Sequence, residues 1–137
     1  MPDQPSKTMD EVIRQDGRYP HEAYEFLHEG LASAVKAVHG QPLPQTPEEA
    51  SKRQTHVTGK QLCLALRDLA QERWGMLART VLAQWNIHAT VDFGNMVYLL
   101  IKHKYMRKTE EDSLDDFRGV YDFDSAFDDA DHFELTE

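Results

Sequence analysis

Residues 20–40 read Pro-His-Glu-Ala-Tyr-Glu-Phe-Leu-His-Glu-Gly-Leu-Ala-Ser-Ala-Val-Lys-Ala-Val-His-Gly, and their spacing decides the fold class. Ala23, Phe26, Leu27, Leu31, Ala34, Val35 and Val38 recur at helical intervals, which places them on one face of an α-helix. Pro20 opens the segment, where its missing N–H costs no hydrogen bond, and Gly40 stands where a left-handed closing residue belongs. Gly30 interrupts the apolar face, and its missing side chain would let another helix approach closely.

The same logic extends in both directions. Thr8 and Glu11 have the spacing of a capping box, so a short helix over Thr8–Asp16 is expected, stopped by Gly17. Thr58 and Gln61 repeat that spacing ahead of a stripe formed by Leu62, Ala65, Leu66, Leu69 and Ala70, which runs to Trp74 and Gly75. Met76, Leu77, Val81, Leu82 and Trp85 read as a further stripe ending at Asn86. Thr90 is placed to cap a last helix that buries Phe93, Val97, Leu100 and Ile101. Short connections between these three segments make them packing neighbours.

Residues 41–57 break the pattern with Pro42, Pro44 and Pro47 and read as a long loop, with a turn of helix over Pro47–Arg53. Residues 1–7 read as a flexible arm and 128–137 as an acidic tail. After Lys104, Tyr105–Thr109 and Arg118–Phe123 alternate loosely, as two antiparallel strands would, although Thr109–Phe117 equally fits the start of a capped helical turn. Asp124 reads as the cap of a short helix ending at Phe127. The expectation is one mainly α domain over residues 8–127, with about five helices and a small C-terminal β-hairpin, an order that is winged-helix-like.

Composition sets limits. The 137 residues, 40% of them hydrophobic, suffice for one self-supporting core. A single cysteine, Cys63, excludes an intrachain disulfide, and Met1–Asp10 lacks the basic start and apolar run of a signal peptide. No apolar run is long enough to cross a bilayer, so the chain reads as cytoplasmic with no membrane contact. The net charge of −9 is polarised: residues 110–137 hold twelve acids and one Arg, or −11, leaving +2 for the rest. Such a balance disfavours broad attraction to nucleic acid.

Several strings taken together resemble a family of uncharacterised bacterial proteins best known from planctomycetes and verrucomicrobia. They are Gly17-Arg-Tyr-Pro-His-Glu-Ala-Tyr-Glu-Phe-Leu, His56-Val-Thr-Gly, Trp74-Gly-Met-Leu-Ala, Trp85-Asn-Ile, Asp92-Phe-Gly, Lys108-Thr-Glu-Glu-Asp-Ser-Leu-Asp-Asp-Phe and Val120-Tyr-Asp-Phe. The resemblance covers roughly residues 10–127 and implies no activity and no site residues. It leads one to expect glycine where this chain has Asn86, a residue that also tolerates left-handed backbone.

Chemistry-bearing patterns are sparse. Glu25-Phe-Leu-His28, with His21 a turn earlier, has the Glu-x-x-His spacing of a di-iron helix, but the second copy such sites need is missing. Its nearest imitation is Asp129-Ala-Asp-His132. Asp122-Phe-Asp124 begins like a calcium loop and then places Ala126, Phe127 and Phe133 where an oxygen ligand, glycine and glutamate belong. Cys63, beside an apolar stripe, reads as a buried structural thiol; His56 and His103 are available as bases, but nothing in the sequence fixes either near it. No cofactor is implied.

Lys102, Lys104, Arg107 and Lys108 adjoin the acidic segment and its aromatics Phe117, Tyr121 and Phe123, which gives two readings. In one, the aromatics anchor the C-terminal segment to the last helix, because exposed ion pairs supply only about 0–1 kcal/mol each. In the other, these residues form a surface for a protein partner. The expected role is a small, non-catalytic intracellular adaptor or regulator acting through protein contacts. A winged-helix nucleic-acid binder is the alternative, and a metal-dependent enzyme using His21, Glu25 and His28 the third reading.

Overall fold

The structure, a computed structural model, describes residues 8–42, 44, 46, 48, 56–106 and 113–127. The chain is mainly helical. Its described elements are α1 (Met9–Asp16), α2 (His21–His39), α3 (Gly59–Trp74), a 3-10 turn (Gly75–Leu77), α4 (Ala78–Gln84), α5 (Thr90–Lys102), a second 3-10 turn (Leu114–Phe117) and α6 (Phe123–Phe127). The arm over residues 1–7, the tail over 128–137 and most of the turn expected over Pro47–Arg53 lie outside the described residues.

Local signals set the helix ends. Thr8 accepts from the Glu11 N–H, and the Glu11 carboxylate accepts from the Thr8 N–H, so two otherwise orphaned donors are satisfied. Thr58 and Gln61 do the same at the start of α3. Gly17 and Gly40 close α1 and α2 in left-handed conformation, as their positions predict. The Nε2–H of His39 donates to the His56 carbonyl at 2.7 Å, which ties the end of α2 to the residues just ahead of α3.

The core forms where α2 crosses α3. A Cβ at Gly30 would lie 2.1 Å from Leu66 Cδ2, so the missing side chain is what seats Leu66 against α2. Phe26, Trp74 and Trp85 form an aromatic cluster with centroids 5.1 to 5.8 Å apart, which joins α2 to the C-terminal ends of α3 and α4. Leu66, Leu82, Ile87, Phe93 and Met96 are sealed completely or nearly so.

Several expectations change. Among the described residues there is no strand: Tyr105 and Met106 are bends, and Arg118–Phe123 runs from the second 3-10 turn into α6. Residues 107–109 of the first expected strand lie outside the described residues. The reason lies in which residues face the core. Val120 and its neighbour Tyr121 both pack against the core, with Phe117, Phe123 and Phe127 buried beside them, whereas a strand would send neighbouring residues to opposite faces. The winged-helix likeness falls with the hairpin. The helical turn that the sequence equally allowed is what forms, with Asp116 accepting from the Ser113 N–H.

Second, Thr90 does not cap α5. Ala89 occupies the cap, and the Asp92 carboxylate accepts from the N–H groups of His88 and Ala89 at 2.7 and 3.1 Å. Thr90 is buried instead, donating to the Phe117 carbonyl at 2.6 Å and accepting from the Val120 N–H at 3.2 Å. Third, Met76 and Leu77 leave the apolar face. The buried line through α4 is Ala78 and Leu82, continued by Trp85 and Ile87. Asp124, similarly, lies inside the first turn of α6 rather than ahead of it.

Candidate functional site

The histidine pattern on α2 holds carboxylates, not a ligand cage. His21 Nδ1 lies 3.1 Å from Asp10 Oδ1 and its Nε2 lies 3.3 Å from Glu25 Oε2, so neither ring nitrogen faces an open position. His28 is exposed and joins neither partner. Among the described residues no three His, Cys, Asp or Glu side chains converge to hold a metal ion. Asp129–His132 lies outside the described residues.

Cys63 is fully buried in α3, and burial pushes its thiol up to about 12. A thiol held protonated at neutral pH is a poor nucleophile. Its backbone carbonyl accepts a 2.9 Å hydrogen bond from the Tyr121 hydroxyl, whose own ionisation is pushed higher chiefly by burial. That contact ties the C-terminal segment to α3.

The surface proposed from the sequence divides. Lys102 and Lys104 are exposed at the end of α5, and Arg107 and Lys108 lie outside the described residues. Phe117 and Phe123 are buried and Tyr121 is half-buried, so these rings serve as internal anchors. A Cβ at Gly94 would lie 2.8 Å from Cβ and Cγ of Phe117, and one at Gly59 would lie 3.0 Å from its ring. Phe123 packs on Phe93 and Phe127, with centroids 6.2 and 5.0 Å apart. The C-terminal segment is therefore docked by aromatic anchoring, the first of the two readings given above. α5, the helix a winged-helix reading would send into DNA, spends Phe93, Gly94, Met96, Val97 and Leu100 on the core.

Two surface features remain. The first is a wide-mouthed cleft of about 710 Å³ between the α1–α2 junction and the end of α4, lined by Ile13, Arg14, Arg18, His21, Trp85 and Asn86 among others. Behind it the Tyr19 hydroxyl donates to Asp92 at 2.7 Å, and Asn95 donates to Tyr19 at 3.2 Å. Burial first, and then the Asp92 carboxylate, push Tyr19 up to about 12. Asn86 adopts the left-handed conformation (φ 65°) in which glycine was expected, and its side chain donates to the Arg18 carbonyl. Charges on the rim largely pair off, Arg18 with Asp16 and His21 with Asp10.

The second feature is the turn that follows α3. Gly75 sits at φ 51° and ψ −120°, a conformation open essentially to glycine, and this bend swings the next two residues out of the helical face. Met76 and Leu77 are 66% and 63% exposed, while Ala78 beside them is fully buried. Val81, one turn beyond Leu77, is half-buried and extends the apolar surface along α4. Around it Arg73 pairs with Glu29 and Arg79 with Asp124. Sequence periodicity misplaced this pair by starting the second stripe at Met76, although the Ala78–Leu82 spacing alone marks the face that is buried. No family model, curated protein or solved structure matches the chain.

Proposed function

We propose that this chain is a non-catalytic domain of the cell interior that works by binding another protein, and that the Met76–Leu77 turn is its point of contact. One observation carries the reading: two adjacent large apolar side chains stand more than 60% exposed on a bend that a glycine makes specifically accessible. Unbranched, polarisable methionine is well suited to adaptable contacts. Residues that anchor an interface are few and central, so a small protruding pair is a sufficient core for one. The absence of a membrane-crossing helix among the described residues is compatible with this placement.

The test is site-directed photo-crosslinking in native cells. A photoreactive residue at Leu77 should yield a discrete adduct, and the same residue at exposed Lys36 should not. Equal adduct patterns at the two positions, or none at Leu77, would end the proposal.

A further inference from the structure

The cleft between the α1–α2 junction and the end of α4 has an apolar floor and one unspent charge. Its volume of about 710 Å³ lies in the range of sites that take small molecules. Ile13 and Tyr19, both nearly sealed, lie at its base, and the half-buried Trp85 ring lines one wall. Phe26 and Trp74 pack against that ring with centroids 5.8 and 5.4 Å away, so it is held in place and cannot fold down to fill the cleft. The walls are also tied together. Asn86 donates to the Arg18 carbonyl at 3.3 Å, and Tyr19 donates to Asp92 of α5 at 2.7 Å. On the rim, Arg18 is paired with Asp16, and His21 with Asp10 and Glu25. Arg14, in the last turn of α1, lines the same cleft, and its guanidinium is unpaired among the described residues.

We propose that this cleft binds a small organic monocarboxylate with a flat aromatic body, its ring against Trp85 and Ile13 and its carboxylate paired with Arg14. Each part of the ligand answers to something the cleft offers. A guanidinium presents parallel N–H donors that match the two oxygens of one carboxylate. The Trp85 ring and the apolar floor take a flat aromatic body, whose burial supplies the contact energy. Asp10 on the rim and Glu25 beside His21 oppose further negative charge, which rejects phosphates and polyanions while leaving a single carboxylate acceptable. Neither Met76 nor Leu77 lines the cleft, so this site is separate from the protein contact proposed above and does not depend on it.

The experiment is an NMR titration of the full chain at neutral pH, with naphthoate as the probe and uncharged naphthamide as its control. Naphthoate should bind with a Kd below about 1 mM and shift the indole N–H signal of Trp85. Naphthamide should bind about 10-fold more weakly or worse, because it lacks the charge that Arg14 pairs with. Arg14 is exposed, so Arg14→Gln should keep the fold; it should weaken naphthoate about 10-fold or more and leave naphthamide unchanged. Acetate, which has the charge without the ring, should fail to displace naphthoate at about 100-fold excess. Met76→Ser/Leu77→Ser should bind naphthoate as the parent chain does. No binding of naphthoate up to about 10 mM would overturn the proposal. Equal binding of naphthamide, or of naphthoate by Arg14→Gln, would mean apolar adsorption alone and overturn it too. So would displacement by acetate or inorganic phosphate at equal concentration, which would make the cleft a simple anion site. Loss of binding in the Met76→Ser/Leu77→Ser variant would move the ligand to the turn and end the assignment to the cleft.

Discussion

The seam around Phe117 and the turn at Gly75 each depend on glycine, and they use it in opposite ways. At Gly94 the missing side chain makes space, so that Phe117 settles against α5 with its backbone carbonyl bonded to Thr90. At Gly75 nothing lies within 4 Å of where a Cβ would be, and what matters is the positive φ. The first glycine brings an aromatic residue in; the second puts two apolar residues out. Stability should therefore reside in the seam and recognition in the turn, and substitutions in the two places should separate these properties.

The largest effect is expected at Phe117. Phe117→Ala should lower stability by about 3–5 kcal/mol, because the ring fills the space that Gly59 and Gly94 leave open and the docked segment cannot collapse to replace it. Urea denaturation followed by tryptophan fluorescence measures this. A loss below about 1 kcal/mol would mean that residues 113–127 are an appendage rather than part of the core.

Alkaline pH should weaken the fold next, at the seam through Cys63 and Tyr121 and at the α1–α2 junction through Tyr19 and Tyr24. Cys63 and Tyr19 are both pushed up to about 12, from ordinary values of 9.0 and 10.0, chiefly by burial, and Tyr24 and Tyr121 move in the same direction. The folded chain holds these protons while the unfolded chain releases them. Their contribution is complete below about pH 9 and is lost as pH rises toward about 12. Thermal midpoints should be level up to about pH 8.5 and fall steadily above it, with tyrosinate absorbance at 295 nm appearing together with unfolding. Tyrosinate formation well ahead of unfolding would show that the hydroxyls are open to water.

A smaller loss is expected on removing the Thr90 hydroxyl. Thr90→Val keeps the shape but strands the Phe117 carbonyl and the Val120 N–H, which should cost about 1–3 kcal/mol. If Thr90 were merely a helix cap, Thr90→Ser would restore full stability and hydrogen exchange at Val120 would not change. The seam instead predicts faster exchange at Val120 in Thr90→Val than in Thr90→Ser.

Thr90 also shows which parts of the structure can be read from sequence. Features set within a few residues were legible: the capping boxes at Thr8 and Thr58, the closing glycines at 17 and 40, the stripe through α2 as far as Val35, with Val38 exposed at its end, and the burial of Cys63. Gly30 was legible as a close approach, although not which residue would approach. Thr90 was misread because its hydroxyl has two competing uses. A local cap and a tertiary bond to Phe117 leave the same letter in the sequence, and only the fold decides between them. The expected hairpin failed for a related reason, since loose alternation fits a strand until neighbours such as Val120 and Tyr121 are both drawn to the core. Met76 and Leu77 were missed because the stripe after Gly75 was begun at Met76, whereas the bend delays the buried face to Ala78.

The smallest stability effect is expected at the turn, and it is the most informative. Met76→Ser/Leu77→Ser removes two large apolar groups from positions 66% and 63% exposed, where little surface is withdrawn from water on folding. The change in unfolding free energy should stay within about 0.5 kcal/mol, and a modest gain in solubility is reasonable because an apolar pair leaves the surface. Gly75→Ala should act differently, costing about 1–3 kcal/mol through backbone strain alone. If the double serine variant proved as damaging as Thr90→Val, the turn would be covered by another part of the chain and the distinction between seam and turn would be lost. If it were neutral for stability yet defective in partner capture, the pair would be maintained for contact and not for the fold. This double substitution is the one at which the two roles can be measured apart.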